Sequence, residues 1–293
     1  MPAQAPAPLM DDLVDEVLLR FAPNEPEHLV RAALVSKHWY RLISDPGFRR
    51  RFRELHRKPP MLGVLFRCYS SFRRTTPFVP TSSVPLPHAV PGRWRPIESR
   101  HGRVLFHTGF DDHLPSWDGS FVVWVPITNE RRELPRLPAL FSTQLDRGWT
   151  AAVLCAAAGG GCDHLDCHSG PFRVVLVCTC CSEVFTFVYS SDAGVWSEPT
   201  SAPLRRARVH LAPSVHLENA LYFMAGYGNS KVLKYDLGTT ETSLIRLPRT
   251  PYKHIALMAT MDDGLGFAGV HKSKLCLWSK PRGLCRMGTK PSH

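Results

Sequence analysis

The sequence predicts an α+β multidomain chain: a small N-terminal module of three helices, then an all-β domain. Three observations predict it. Apolar residues recur at helical spacing over residues 9–58. Prolines crowd residues 59–100 and deny both helix and central strand. From residue 101 to 280, short apolar runs alternate with turns. The expected organisation is therefore a disordered N-terminus over 1–8, a helical module over 9–58, a Pro-rich linker over 59–100, a β domain over 101–280 and a basic tail over 281–293. A chain of 293 residues is long enough for one large or two modest cores.

In the first helix, Leu13, Val14, Val17, Leu18 and Phe21 share one face, while Asp12, Asp15, Glu16 and Arg20 face away. Asp11 or Asp12 can cap its start, and Pro23 stops it. A second helix starts near Pro26, suited to a first turn because its missing N–H has no partner there anyway. Its stripe runs through Leu29, Ala32, Ala33, Ser36, Trp39, Leu42 and Ile43, until Asp45 and Pro46 break it. Asp45 then caps a third helix carrying Phe48, Phe52 and Leu55, which ends at Pro59 and Pro60. Three such helices hold more apolar surface than they can bury, chiefly around Leu9, Leu13, Val14 and Trp39. A partner is expected to cover it.

The β region repeats loosely. Arg103–Phe106 and Phe121–Trp124 make one unit, Phe172–Cys178 and Val184–Tyr189 with Trp196 a second, Ala220–Phe223 and Val232–Asp236 a third, Gly264–Ala268 and Lys274–Trp278 a fourth. Each pairs strands with aromatic ends and closes on a polar turn. A period of ~40–60 residues suits the blades of a β-propeller, with a sandwich of irregular strands as the competing fold. Four units are few for a ring, so an incomplete propeller with an unpaired edge is expected. The tryptophans Trp94, Trp117, Trp124, Trp149, Trp196 and Trp278 are read as blade core.

The helical module carries ordered motifs. Leu9-Met10-Asp11-Asp12-Leu13-Val14 resembles the opening of an F-box, with Met10 where that family usually has proline. Leu34-Val35-Ser36-Lys37-His38-Trp39 resembles its later signature, with Ser36 where cysteine is usual. The chain as a whole resembles the F-box families of grasses, whose C-terminal halves are degenerate, kelch-like propellers. WSEPTSAP, GLGFAG and LCLWS echo them. The resemblance implies a non-catalytic substrate receptor of a Skp–cullin–F-box type ubiquitin ligase. It would dock on a Skp-family adaptor, and through it on a cullin scaffold, and recruit a protein target through the β domain. The docking residues expected are Leu9, Leu13, Val14, Val17, Leu18, Leu34, Val35, Trp39, Leu42 and Ile43, of which Val17 and Leu42 could instead serve the module's own core.

Other function classes find less support. The formal charge of +11 gathers on Arg49, Arg50, Arg51, Arg53, Arg57 and Lys58 and again in the tail, but without interleaved aromatics or a nucleic-acid-binding signature. Basicity alone reports non-specific binding, so a ligase-independent protein- or nucleic-acid-binding module is the alternative. No apolar run reaches the length of a membrane span, and the N-terminus lacks the pattern of an export signal. Nine cysteines without framework spacing then point to reduced thiols in the cytosol or nucleus. Cys162, His164, Cys167 and His168 are candidate metal ligands, but their spacing fits no common zinc arrangement. The segment is read as a Gly-rich loop before a strand that uses cysteine as a small hydrophobe, so neither metal nor cofactor is expected. Phosphate-loop, nucleophile-elbow and metalloprotease motifs are all missing. The acidic pairs Asp111-Asp112 and Asp262-Asp263 read as turn residues.

Overall fold

The computed structural model describes residues 11–57, 61–66, 68–69, 74–81, 90, 94–108, 120–137, 148–157, 162, 164, 167–180, 182–204, 208–226, 230–247, 255–262, 264–271 and 274–279. The N-terminal part folds as four helices: α1 Asp11–Leu19, α2 Pro26–Val35, α3 Lys37–Ser44 and α4 Pro46–His56. The stretch expected as one second helix is divided at Ser36. Its backbone is extended there, and its hydroxyl accepts the Trp39 N–H at 3.1 Å. A serine side chain competes for a backbone donor, so it ends one helix and caps the next. Asp45 does the same for α4, accepting from the Phe48 N–H at 3.0 Å, and Pro46 fits the first turn.

The module has its own core. Val14, Leu18, Leu19, Ala32 and Phe48 are buried together, with Phe21, Leu29, Trp39, Leu42, Ile43 and Phe52 packed on them. Two polar ties fasten α1 to α4. Arg51 pairs with Asp15, whose side chain is almost covered, at 2.8 Å, and His56 Nε2 donates to the Leu19 carbonyl at 2.9 Å.

Twenty strands follow among the described residues. Two short hairpins come first: β1 Gly63–Leu65 pairs with β4 Phe78–Pro80, and β2 Cys68–Tyr69 with β3 Arg74–Thr75. The remaining strands form four consecutive antiparallel sheets. The first contains β5 Arg95–Arg100, β6 Arg103–His107, β7 Phe121–Val125 and β8 Glu130–Glu133. The second contains β9 Trp149–Cys155, β10 Phe172–Cys180 and β11 Glu183–Ser190, with β12 Val195–Trp196 and β13 Thr200–Pro203 both on β11. In the third lie β14 Val215–Leu217, β15 Ala220–Ala225, β16 Lys231–Asp236 and β17 Thr242–Arg246. The fourth is β18 Ile255–Ala259, β19 Leu265–His271 and β20 Lys274–Ser279.

The first two sheets bury both faces of their middle strands β6, β7 and β10, as the apolar runs there require, whereas Val270 on β19 of the fourth is 62% exposed. Leu105, Val123, Val153 and Leu176 fill the space between the first and second sheets; Ala152, Val175, Phe223 and Leu233 that between the second and third. Met224, Ile255 and Phe267 join the third to the fourth. Neighbouring sheets thus pack face to face in chain order, which is the arrangement of propeller blades and not of a two-layer sandwich. The domain is an all-β, propeller-like array of four blades.

Polar bonds tie the blades as well. Trp196 donates its indole N–H to the Pro135 carbonyl at 2.7 Å, and Arg132 donates to the Ser191 carbonyl at 2.6 Å. Across the array, the buried Glu98 of β5 accepts from both the backbone N–H and the hydroxyl of Ser214, just before β14, at 3.1 and 2.6 Å. Arg100 pairs with Glu98 at 2.9 Å and donates to the Ser214 carbonyl at 3.1 Å. Of the tryptophans, Trp124 and Trp149 are buried, and Trp94, Trp196 and Trp278 pack against cores, as expected of blade interiors; Trp117 lies outside the described residues.

The stretch expected as linker contains both hairpins and all of β5. Leu65 and Trp94 pack on Val104, Phe106 and Trp124 of the first blade. The expected N-terminal segment 1–8, the tail 281–293, and Asp111 and Asp112 fall outside the described residues. Among the described residues, no helix is long and apolar enough to cross a membrane.

Candidate docking face and a thiol–imidazole cluster

The amphipathic stripe of α1 is wider than the core it serves, and the structure divides it. Val14 and Leu18 are 5% and 1% exposed and belong to the module's interior, out of a partner's reach. Leu13 and Val17, at 54% and 58%, stand outside that core on an i, i+4 spacing that places them side by side. At the end of α2, Leu34 and Val35 are 80% and 66% exposed. Trp39, Leu42 and Ile43 lean on the core and are half-buried. Leu9 lies outside the described residues. Val30 and Tyr40, not singled out from the sequence, are also exposed. Their spacing on α2 and α3 could have flagged them.

The basic cluster of α4 is largely engaged within the helix and its neighbour. Arg51 pairs with Asp15, Arg50 lies 3.9 Å from Glu54, and Arg53 and Arg57 donate to the Arg49 and Glu54 carbonyls.

Residues 12–54 match the F-box-like domain family. The N-terminal module is F-box-like. Among curated proteins, none matches the chain. Solved structures similar to it include the following two. One is BBS1N in complex with ARL6DN, soaked with mercury, at 12% identity and a TM-score of 0.37 over 76% of this chain. The other is an oligogalacturonate lyase in complex with manganese, at 11% identity and a TM-score of 0.34 over 60% of this chain. The chain spans 65% and 44% of the lengths of those two structures.

A second feature lies at the edge of the first two blades. Cys155 ends β9, and the connection to β10 brings Cys162, His164 and Cys167 back to it. The Cys155 and Cys162 sulfurs are 3.8 Å apart, and His164 Nδ1 lies 3.6 Å from the Cys167 sulfur. All four donor atoms fall within 4.8 Å of one another. His164 adopts a left-handed backbone (φ 59°), which turns the chain so that its ring and the flanking thiols converge. His168, the fourth candidate expected from the sequence, is elsewhere. It lies against the β5–β6 turn, where a Cβ on Gly102 would come within 2.9 Å of its own Cβ.

The surroundings hold the cluster in place. His101 and Gly102 form the two-residue turn between β5 and β6, both with positive φ as this hairpin type demands. The His101 ring stacks on His164 with centroids 4.0 Å apart, and its Nδ1 accepts the Cys155 N–H at 3.3 Å. Arg103, fully buried, donates to the Cys167 and Gly170 carbonyls at 2.5 and 2.6 Å. Burial, then the neighbouring Cys155 and Cys162, push the Cys167 thiol up to about 12. Burial, followed by the His164 and Arg100 charges, holds the His101 imidazole down to about 4. Cys178, by contrast, is a buried strand residue whose thiol lies 3.6 Å from the Phe185 carbonyl, in the small-hydrophobe role expected of it.

Proposed function

We propose that the chain is the substrate-receptor subunit of a Skp–cullin–F-box type ubiquitin ligase. The observation that carries this reading is an F-box-like module whose own core is complete while Leu13, Val17, Leu34 and Val35 stay uncovered. An interface core needs apolar side chains that folding leaves exposed, and these four supply them. They dock on a Skp-family adaptor, which connects the chain to a cullin scaffold. Trp39, Leu42 and Ile43 support the docking helices from beneath.

The propeller-like domain recruits the target, in the manner of the kelch-like grass proteins that the motifs resemble. No bond is made or broken by the receptor. Holding the target beside the charged conjugating enzyme raises its effective concentration there. Such a receptor works in the cytoplasm, the nucleus or both.

Calorimetric titration of the intact chain with a Skp-family adaptor tests the reading. Binding is expected, and Leu34→Asp combined with Leu13→Asp is expected to weaken it at least about tenfold, or ~1.4 kcal/mol. Both positions are exposed, so the fold tolerates the changes. Absence of binding by the intact chain would refute the proposal.

A further inference from the structure

We infer that Cys155, Cys162, His164 and Cys167 form a structural zinc site that holds Cys162, His164 and Cys167 to the end of β9. The site is independent of adaptor docking. Its ligand set differs from the one the spacing offered: Cys155 joins it and His168 does not.

Zinc prefers four tetrahedral donors drawn from thiolates and imidazoles. With bonds of about 2.3 Å to sulfur and 2.0–2.1 Å to nitrogen, the edges of that tetrahedron are ~3.8 Å between sulfurs and ~3.6 Å between sulfur and nitrogen. The Cys155–Cys162 and Cys167–His164 separations are 3.8 and 3.6 Å. The donors thus stand on two edges of the required figure. Three thiolates and one imidazole are also a soft set, which favours zinc over the oxygen-seeking magnesium and calcium.

Binding balances simply. A Zn²⁺ ion enters, three thiols each release a proton to solvent, the neutral imidazole keeps its other ring proton, and the centre carries one negative charge. Arg103, held on the Cys167 carbonyl, supplies a compensating positive charge close by. The outer contacts are those a metal site needs. The His101 ring fixes the plane of His164, and its bond to the Cys155 N–H fixes the first ligand's backbone. Four protein donors complete the tetrahedron and leave no open position, which makes the role structural and not catalytic. The consequence is that Cys162, His164 and Cys167 are fixed to the end of β9, beside the β5–β6 turn.

The test uses the full chain, purified reduced and stripped of metal, then titrated with zinc and separately with cobalt. One equivalent of zinc is expected. The cobalt form should show an intense thiolate charge-transfer band and a tetrahedral visible spectrum. Cys167→Ser and His164→Ala should each weaken zinc binding at least about 100-fold, while His168→Ala and Cys276→Ser retain it. Failure of the folded wild-type chain to take up stoichiometric zinc, or a cobalt spectrum without thiolate character, overturns the proposal. Undiminished zinc binding by Cys167→Ser overturns it too, because the metal then sits elsewhere. Should a variant fail to fold, X-ray absorption of the wild-type zinc form decides: three sulfurs and one nitrogen support the site, any other set refutes it.

Discussion

Asp15 and His107 show how single side chains set local stability. Asp15 comes from the polar side of α1, yet α4 folds over it and Arg51 answers its charge. Replacing Asp15 with Ala strands neither a deeply buried cation nor a cavity, since the Arg51 side chain is half exposed. The loss is that of a charge-assisted pair, about 1–3 kcal/mol, measurable as a lower denaturation midpoint for the module. His107 is buried between Phe121 and Trp149, at ring separations of 5.3 and 5.0 Å. Burial, with a lesser contribution from Arg95, holds its imidazole down to about 4. A base depressed on folding binds more protons when unfolded. Stability therefore falls as pH drops from about 6.5 towards 4, by up to about 3 kcal/mol at ~1.4 kcal/mol per pH unit. His107→Phe should flatten that part of the curve. Equal slopes for the two proteins in thermal melts from about pH 7 to pH 5 would contradict this assignment.

At the scale of elements, the caps decide where helices end. Ser36→Ala removes the acceptor for the Trp39 N–H and should cost about 1 kcal/mol, read by helical circular dichroism during unfolding. The middle strands of the first blade were legible because they are buried on both faces and therefore spelled in apolar letters: Phe121–Val125 is an example. The first strands were not. Arg95–Arg100 carries a proline and an acid, and Val215–Leu217 is only three residues long, so neither shows a period. Glu98 reads as a loop residue until its partner Ser214, 116 positions away, is known. The α1 stripe was half legible: periodicity groups Val14 with Leu13 and Leu18 with Val17, but the packing of the other three helices decides which of each pair is covered. The thiol cluster was hidden for a related reason. Cys155 closes an apolar strand and looks like one more core residue, and the left-handed turn at His164 leaves no mark in the spacing.

For the whole molecule, the four blades are joined by side chains between sheets, and β20 is the last strand among the described residues, where Leu275 and Leu277 are 58% and 44% exposed. Exposed leucines on a terminal strand invite pairing with another chain. Leu275→Lys with Leu277→Lys should reduce light scattering on warming; unchanged scattering would show that self-association arises elsewhere. The bond between Glu98 and Ser214 has a further consequence, for how the domain can be divided. A fragment ending after the second blade would enclose a carboxylate stripped of the hydroxyl and N–H that satisfy it, with Arg100 alone to answer it. The first blade thus borrows its completion from the third. The smallest piece of this domain that folds by itself should reach past Ser214, and chains still emerging during synthesis stay vulnerable to proteases until that residue has arrived.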